Sequence, residues 1–145
     1  MFYDFEKGLY IGSKVKDEFK HKLKSECLKH FRNQEFNFNE DLHTTIIYSD
    51  KPFIGELDEG FDTFFTTTGK LDKFGKDGEI LVLRLKSNYL HTRHNELMEE
   101  HGLKWDFPSY EPHVTLSYDA KDIDITNINM AGMLIEFGPE EITEI

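Results

Sequence analysis

His43-Thr44-Thr45-Ile46-Ile47-Tyr48-Ser49, within a β-rich stretch from Leu42, aligns with His113-Val114-Thr115-Leu116-Ser117-Tyr118-Asp119, of which His113 to Tyr118 reads as a strand. Both run His-x-Thr-aliphatic-x-Tyr. Seven His and ten Thr in 145 residues would give about 0.5 His-x-Thr matches by chance, so a single match carries little. Two matches in equivalent strands, each with the same Tyr, carry much more. Successive side chains of a strand point to opposite faces. His43 and Thr45 should therefore share one face, with Thr44, Ile46 and Tyr48 on the other. His113 and Thr115 should likewise oppose Val114, Leu116 and Tyr118. The mostly apolar set is expected against helices, and the His-Thr pairs on an open face.

Working outward, each motif follows the same order of elements. Leu9-Tyr10-Ile11 reads as a short strand, with Ser13 as the N-cap of a helix over Lys14 to Arg32. Val15, Phe19, Leu23, Cys27 and Phe31 recur every four residues and make one apolar stripe. Lys16, Lys20 and Lys24 sit beside it as a solvated face. A polar loop, Asn33 to Asp41, carries Phe36 and Phe38 into the first motif. In the second half, Glu79 to Lys86 (EILVLRLK) is the strongest strand. Asn88 is placed as the cap of a helix ending at His101, with Gly102 beyond it. Its stripe is Leu90, His94, Leu97, Met98 and His101. An aromatic loop with Trp105, Phe107 and Tyr110 leads into the second motif. Thr63 to Phe74 suits a strand before the turn Gly75-Lys76-Asp77-Gly78. Met133 to Phe137 and Ile142 to Ile145 are two final strand pieces split by Gly138-Pro139.

This order is an internal duplication, with pseudo-repeats over about 1–75 and 76–145. Hairpin signals among mixed elements give an α+β class. The length suits one domain, and no Ser- or Pro-rich linker divides it.

Composition excludes several function classes. Thirteen Phe, six Tyr and one Trp supply apolar surface that a disordered chain lacks. No apolar run approaches the ~20 residues of a membrane helix, and the first residues do not read as a signal peptide. The lone Cys27 suits a reducing cytosol. A net charge of −11 disfavours a stable complex with long nucleic acid, which needs a basic footprint. It leaves room for a local phosphate pocket. Eight of the seventeen Lys and Arg lie between Lys7 and Arg32, whereas Asp119 to Ile145 holds seven carboxylates and one Lys.

Two histidines across a cleft suit in-line phosphoryl chemistry. A neutral imidazole takes a proton from the nucleophile, and a protonated one gives a proton to the leaving oxygen. The reference pKa of ~6.5 allows both roles near neutrality. Thr hydroxyls can donate to the non-bridging phosphate oxygens. No metal or cofactor is required, and no Walker loop or dinucleotide fingerprint occurs. His91, His94 and His101 lack metal-ligand spacing, and His94 and His101 read as core histidines. His21 and His30 read as solvated.

Paired His-x-Thr strands in a duplicated α+β chain resemble the two-histidine (2H) phosphoesterase superfamily. The resemblance implies a bilobal fold, with two mostly antiparallel sheets flanking a central cleft and helices outside. It implies metal-independent phosphodiester cleavage, with His43 and His113 catalytic and Thr45 and Thr115 holding phosphate. In size and layout the chain is most similar to the small phage anti-CBASS phosphodiesterases, which degrade the cyclic oligonucleotides that bacteria use as antiviral signals. Through the Gly138-Pro139-Glu140-Glu141 segment that similarity marks Glu141 as a third catalytic residue; the other reading of Glu141 is a solvated carboxylate. The implied partner is a cyclic oligonucleotide, and the implied location the bacterial cytoplasm. Trp105, Tyr110 and Tyr10 are the candidates for contact with its bases, since aromatic rings stack on bases for ~1–3 kcal/mol each. Two alternatives stand beside this reading: a phosphodiesterase of RNA metabolism, like the 2′,5′-RNA ligases or acting on cyclic nucleotides, and a non-catalytic sponge for a cyclic nucleotide.

Overall fold

The computed structural model describes residues 1–58 and 63–145. Its elements in chain order are β1 (Phe2–Phe5), β2 (Leu9–Val15), α1 (Asp17–His30), β3 (His43–Ser49), β4 (Phe53–Glu56), β5 (Phe64–Phe74), β6 (Ile80–Lys86), α2 (Asn88–His101), β7 (His113–Ser117) and β8 (Leu134–Glu144). A six-stranded antiparallel sheet runs β3-β2-β8-β5-β6-β7, and β1 and β4 form a separate pair. The α+β class is as expected. The two lobes are the two halves of the large sheet, β3-β2-β8 and β5-β6-β7, joined where β8 pairs with β5.

The connections cross between lobes. Each half of the chain forms its own strand pair around a helix: β2-α1-β3 and β6-α2-β7. Its last strand then joins the other lobe, so that β5 pairs with β6 and β8 with β2. The outer strands β3 and β7 come into contact, so the sheet curls until its edges meet.

One face of this sheet carries the core. Leu9, Ile11, Ile46, Ile47, Leu81, Leu83, Val114, Leu116, Ile135 and Phe137 pack with Leu23, Cys27 and Phe31 from the first helical region and Leu90 and Leu97 from α2. Leu23, Cys27 and Phe31 of the first stripe and Leu90, His94 and Leu97 of the second are buried as expected, whereas Phe19, Met98 and His101 are only partly buried. Burial pushes the Cys27 thiol up to about 12, which leaves it an inert apolar filler.

Three boundaries differ from expectation. Val15 and Ser13 belong to β2, and α1 begins only at Asp17 after an extended Lys16 without a side-chain cap. Ser13 is buried in the sheet opposite Thr44, so it cannot cap. The cap of α2 is Ser87, whose Oγ accepts from the Leu90 amide, rather than Asn88. Gly102 closes that helix in the left-handed region (φ 65°), where a side chain would be strained. Gly138-Pro139 does not split the last strand. The β2–β8 register shifts between the Val15–Phe137 and Ser13–Glu140 pairs, and Pro139 sits in that irregular stretch. A bulge is where a strand tolerates a residue with no amide hydrogen.

Candidate active site

The two motif strands share an irregularity that simple alternation does not foresee. In β3, Thr45 pairs with Gly12 and Ile47 with Ile11, leaving Ile46 as an extra residue. In β7, Thr115 pairs with Val82 and Ser117 with Leu81, leaving Leu116 extra. These are bulges at equivalent positions, and each reverses the alternation that follows. Ile47 and Ser117 are therefore buried. Tyr48 and Tyr118, expected among the helices, are instead half-exposed on the side of the histidines, at 50% and 57%. The adjacent apolar pair Ile46-Ile47 was the available signal, because a two-residue period cannot bury both.

A bulge leaves a carbonyl without its ladder partner, and a buried polar group needs another. The carbonyl of Ile46 is met by Nδ1 of His94 at 2.7 Å. His94 is buried, and burial lowers its pKa, so the ring is a neutral donor. The carbonyl of Leu116 is met by the Asn39 amide at 2.8 Å.

His43 and His113 are anchored alike. Nδ1 of His43 lies 2.9 Å from the Asp41 carbonyl, and Nδ1 of His113 lies 2.8 Å from the Glu111 carbonyl, each two residues back. A carbonyl only accepts, so Nδ1 carries the hydrogen in both rings. Nε2 is then the nitrogen free to exchange a proton. The loop before each motif also reaches the opposite lobe. Asn39 Nδ2 donates to the Thr115 carbonyl at 2.8 Å, and the Tyr110 hydroxyl donates to the Thr45 carbonyl at 2.9 Å. The two His-x-Thr segments are thus tied to each other crosswise. His43 is near enough for its charge to act on His113.

Around the two rings the lobes diverge. In register across lobe one stand Thr45, Gly12 and Glu141. A Cβ at Gly12 would run into the Tyr10 hydroxyl and lie 2.9 Å from the Thr44 carbonyl oxygen. The missing side chain is the space in which the Tyr10 phenol lies, within hydrogen-bonding reach of Thr45. Burial raises the Tyr10 pKa, and the carboxylates of Glu141 and Asp41 add to the effect. Glu141 is exposed, whereas the neighbouring Glu140 points to the helix side. There Arg93 grips it with both Nε (3.0 Å) and Nη2 (3.0 Å), and Tyr89 donates to it at 2.8 Å. In lobe two the corresponding row is Thr115, Val82 and Asp72. Beside it, Arg84 stands directly across from His113 and binds Asp72 and Glu111. Neither arginine stands out in the sequence, because each is paired with carboxylates distant in the chain.

A cavity of about 550 Å³ opens beside His113. Thr45, Tyr48, Phe74, Trp105, Phe107 and Glu111 are among its lining residues. Trp105 stands there with Phe107 at 5.4 Å between ring centroids and holds its indole N–H on the Ser109 carbonyl. His43, Thr115, Tyr10, Tyr110 and Glu141 are not on its wall. Tyr110 stacks on His94 at 4.1 Å, and burial pushes its phenol well above the usual range. Phe36 stacks on Phe31 at 4.8 Å, which makes it packing beneath the loop. His101 meets Phe53 edge-on, and no cluster with metal-ligand geometry occurs among the described residues.

The family model of the anti-CBASS protein Acb1 matches residues 7–145. The chain belongs to the Acb1 anti-CBASS family. An Acb1 relative from Salmonella phage S16 is 29% identical over 138 residues, spanning 93% of this chain and 88% of its own length. Another from Sphingomonas paeninsulae is 35% identical over 117 residues, 73% of this chain, and this stretch is only 18% of that longer protein. Among solved structures, E. coli LigT complexed with 3′-AMP superposes with a TM-score of 0.58 at 15% identity, covering 99% of this chain and 96% of LigT. The fold is that of LigT, in agreement with the fold that the 2H resemblance implies. No helix is long and apolar enough to cross a membrane among the described residues.

Proposed function

We propose that this chain is a metal-independent phosphodiesterase that opens 3′–5′ linkages of cyclic di- or trinucleotide immune signals and so blocks the host's antiviral response. It does so as one domain over 1–145, built from pseudo-repeats over about 1–75 and 76–145, in the cytoplasm of the infected bacterium. The observation that carries this reading is the matched anchoring of two imidazoles, each with Nδ1 on a backbone carbonyl and Nε2 free. Membership of the anti-CBASS family supplies the class of signal, and the 3′-AMP bound by LigT fits a nucleotide ligand.

In this reaction one imidazole takes the proton of the 2′-hydroxyl, whose oxygen attacks the adjacent phosphorus. The other gives a proton to the departing 5′-oxygen. The products are a 2′,3′-cyclic phosphate and a free 5′-hydroxyl, so atoms and charge balance. Thr45 and Thr115 donate to the non-bridging oxygens as charge builds there. Glu141, across the Gly12 gap from Thr45, supports the charged imidazole on its side. Trp105, with Tyr48 and Phe74, offers the stacking surface for a base, and Tyr10 closes the opposite side.

The deciding experiment is product analysis by mass spectrometry on a panel of rings and linear RNA. A 3′,3′-linked cyclic dinucleotide should be cut and its 2′-deoxy counterpart should resist. Equal cleavage of the deoxy ring would mean that water attacks directly. Release of intact ligand after denaturation would identify a sponge. Faster cleavage of long RNA than of every ring would move the activity to RNA metabolism.

A further inference from the structure

Arg84 occupies an unusual position for a residue outside the His-x-Thr motif. It is the cross-strand neighbour of His113 on β6. Its Nε and Nη2 bind Asp72 Oδ2 on β5 at 2.9 and 2.6 Å, and its Nη1 binds Glu111 Oε1 at 2.9 Å. Its guanidinium also lies over the Phe74 ring, 5.3 Å from the centroid, and Phe74 meets His113 edge-on at 5.0 Å. Glu111 is the residue whose backbone carbonyl holds His113 Nδ1. One side chain therefore clamps the residue that orients the imidazole and the ring that packs against it. In lobe one the equivalent position, opposite His43, is Lys14, an exposed side chain that forms no ion pair among the described residues.

Resting on the two-histidine reaction above, we propose that Arg84 is a positioning residue that makes His113 the general base, leaving His43 as the proton donor. The charged and titratable groups facing His113 are Arg84 from β6, Glu111 from the preceding loop and His43 from β3, with Asp72 on β5 behind Arg84. His113 has its pKa lowered first by burial and then by the charges of Arg84 and His43, against the opposing pull of the Glu111 carbonyl and carboxylate. A neutral imidazole with Nδ1 held as donor presents a lone pair at Nε2, which is what proton abstraction requires. The Asp41 carboxylate, 3.9 Å from Nδ1 of His43, sets the opposite charge beside the other ring.

Two substitutions test this in opposite directions. Arg84→Gln removes the cation and should move the acid limb of the kcat/KM profile to higher pH, so that the ratio of rates at pH 5.5 and 7.5 falls about threefold. Glu111→Gln keeps the orienting backbone carbonyl but removes the carboxylate, and should move the same limb to lower pH. Lys14→Gln should leave that limb in place. The His113 ring titration, followed by NMR in the free protein, should move the same way in each variant. It needs no substrate, so a wild-type protein that cuts no ring would end the proposed function, while the titration would still decide whether Arg84 and Glu111 set the charge state of His113. A limb and an NMR titration that stay fixed in both variants, shift in the same direction, or move on the alkaline side would overturn it. Should Arg84→Gln fail to fold, Glu111→Gln alone decides by the sign of its shift.

Discussion

The two lobes build one backbone device and dress it differently. Each sets a His and a Thr ahead of a bulge, and each pins Nδ1 of its His to a carbonyl two residues back. Yet the bulge carbonyl is met by a side chain in lobe one, His94, and by a backbone amide in lobe two, that of Asn39. The residue beside Thr45 is Gly12, which makes room for a phenol; the residue beside Thr115 is Val82, which is buried. The carboxylates of Asp41 and Glu141 lie about the first ring and its neighbour Tyr10, and beside the second ring a guanidinium is held between the carboxylates of Asp72 and Glu111. On the proposed reaction, the backbone carries what both steps share, the placement of Nε2, and the side chains carry what must differ, the direction of proton transfer.

The severest way to break the comparison is to remove either ring. His43→Ala and His113→Ala should each lower kcat by ~10²–10⁴, the usual worth of a positioned acid or base. Urea midpoints should stay near wild type, because both rings lie off the core face. A lobe whose histidine proves dispensable would leave only one side of the device in use.

Next come the two arginine clusters. Arg93 is 6% exposed against a Glu140 that is 2% exposed, whereas Arg84 remains 26% exposed. Breaking a buried pair leaves an uncompensated charge, so Arg93→Met should cost ~3–5 kcal/mol in urea unfolding. Arg84→Gln should cost about 1 kcal/mol or less. Similar losses would mean that both clusters serve stability alone.

Making lobe one resemble lobe two sharpens the contrast further. Gly12→Val should drive the Tyr10 phenol from Thr45 and lower kcat/KM about tenfold, or ~1.4 kcal/mol, seen alongside altered Tyr10 ring resonances. Unchanged kinetics would remove Tyr10 and the Gly12 gap from the site.

A smaller effect lies in the pH dependence of stability. Burial lowers the pKa of both His94 and His113 in the folded chain. As pH falls below ~6.5 the unfolded chain binds protons that these rings refuse, so stability declines. Urea midpoints should therefore be lower at pH 5.5 than at 7.5, and His94→Gln should flatten the slope. The smallest expected effect is that of chelation. EDTA should leave turnover unchanged if, as in the proposed reaction, side chains supply acid, base and charge stabilisation; loss restored by Mg²⁺ or Mn²⁺ would point to a two-metal mechanism.

Much of this arrangement was legible in the chain. The repeated His-x-Thr, the stripes Leu23-Cys27-Phe31 and Leu90-His94-Leu97, and Gly102 as a helix stop are local signals, and local signals survive folding. What was hidden depends on pairing. The bulges at Ile46 and Leu116 exist only relative to β2 and β6, so Tyr48 and Tyr118 were assigned to the wrong face. The short β1–β4 pair has no strong pattern of its own, and its register is set by tertiary packing. Arg84 and Arg93 find carboxylates at positions 72, 111 and 140, and no spacing rule announces such partners.

The passage of β8 through both lobes has a mechanical consequence. Its first residues pair with β5, its later ones with β2, and Phe137 pairs with both. The two halves are therefore joined along the middle of the molecule by a ladder of backbone bonds, which resists their being slid or pulled apart. For the reaction proposed above, a site braced in this way favours a ligand already curved to its width, and so a small closed ring, whose curvature is built into its covalent frame, over a limp strand that would have to surrender its freedom on entry.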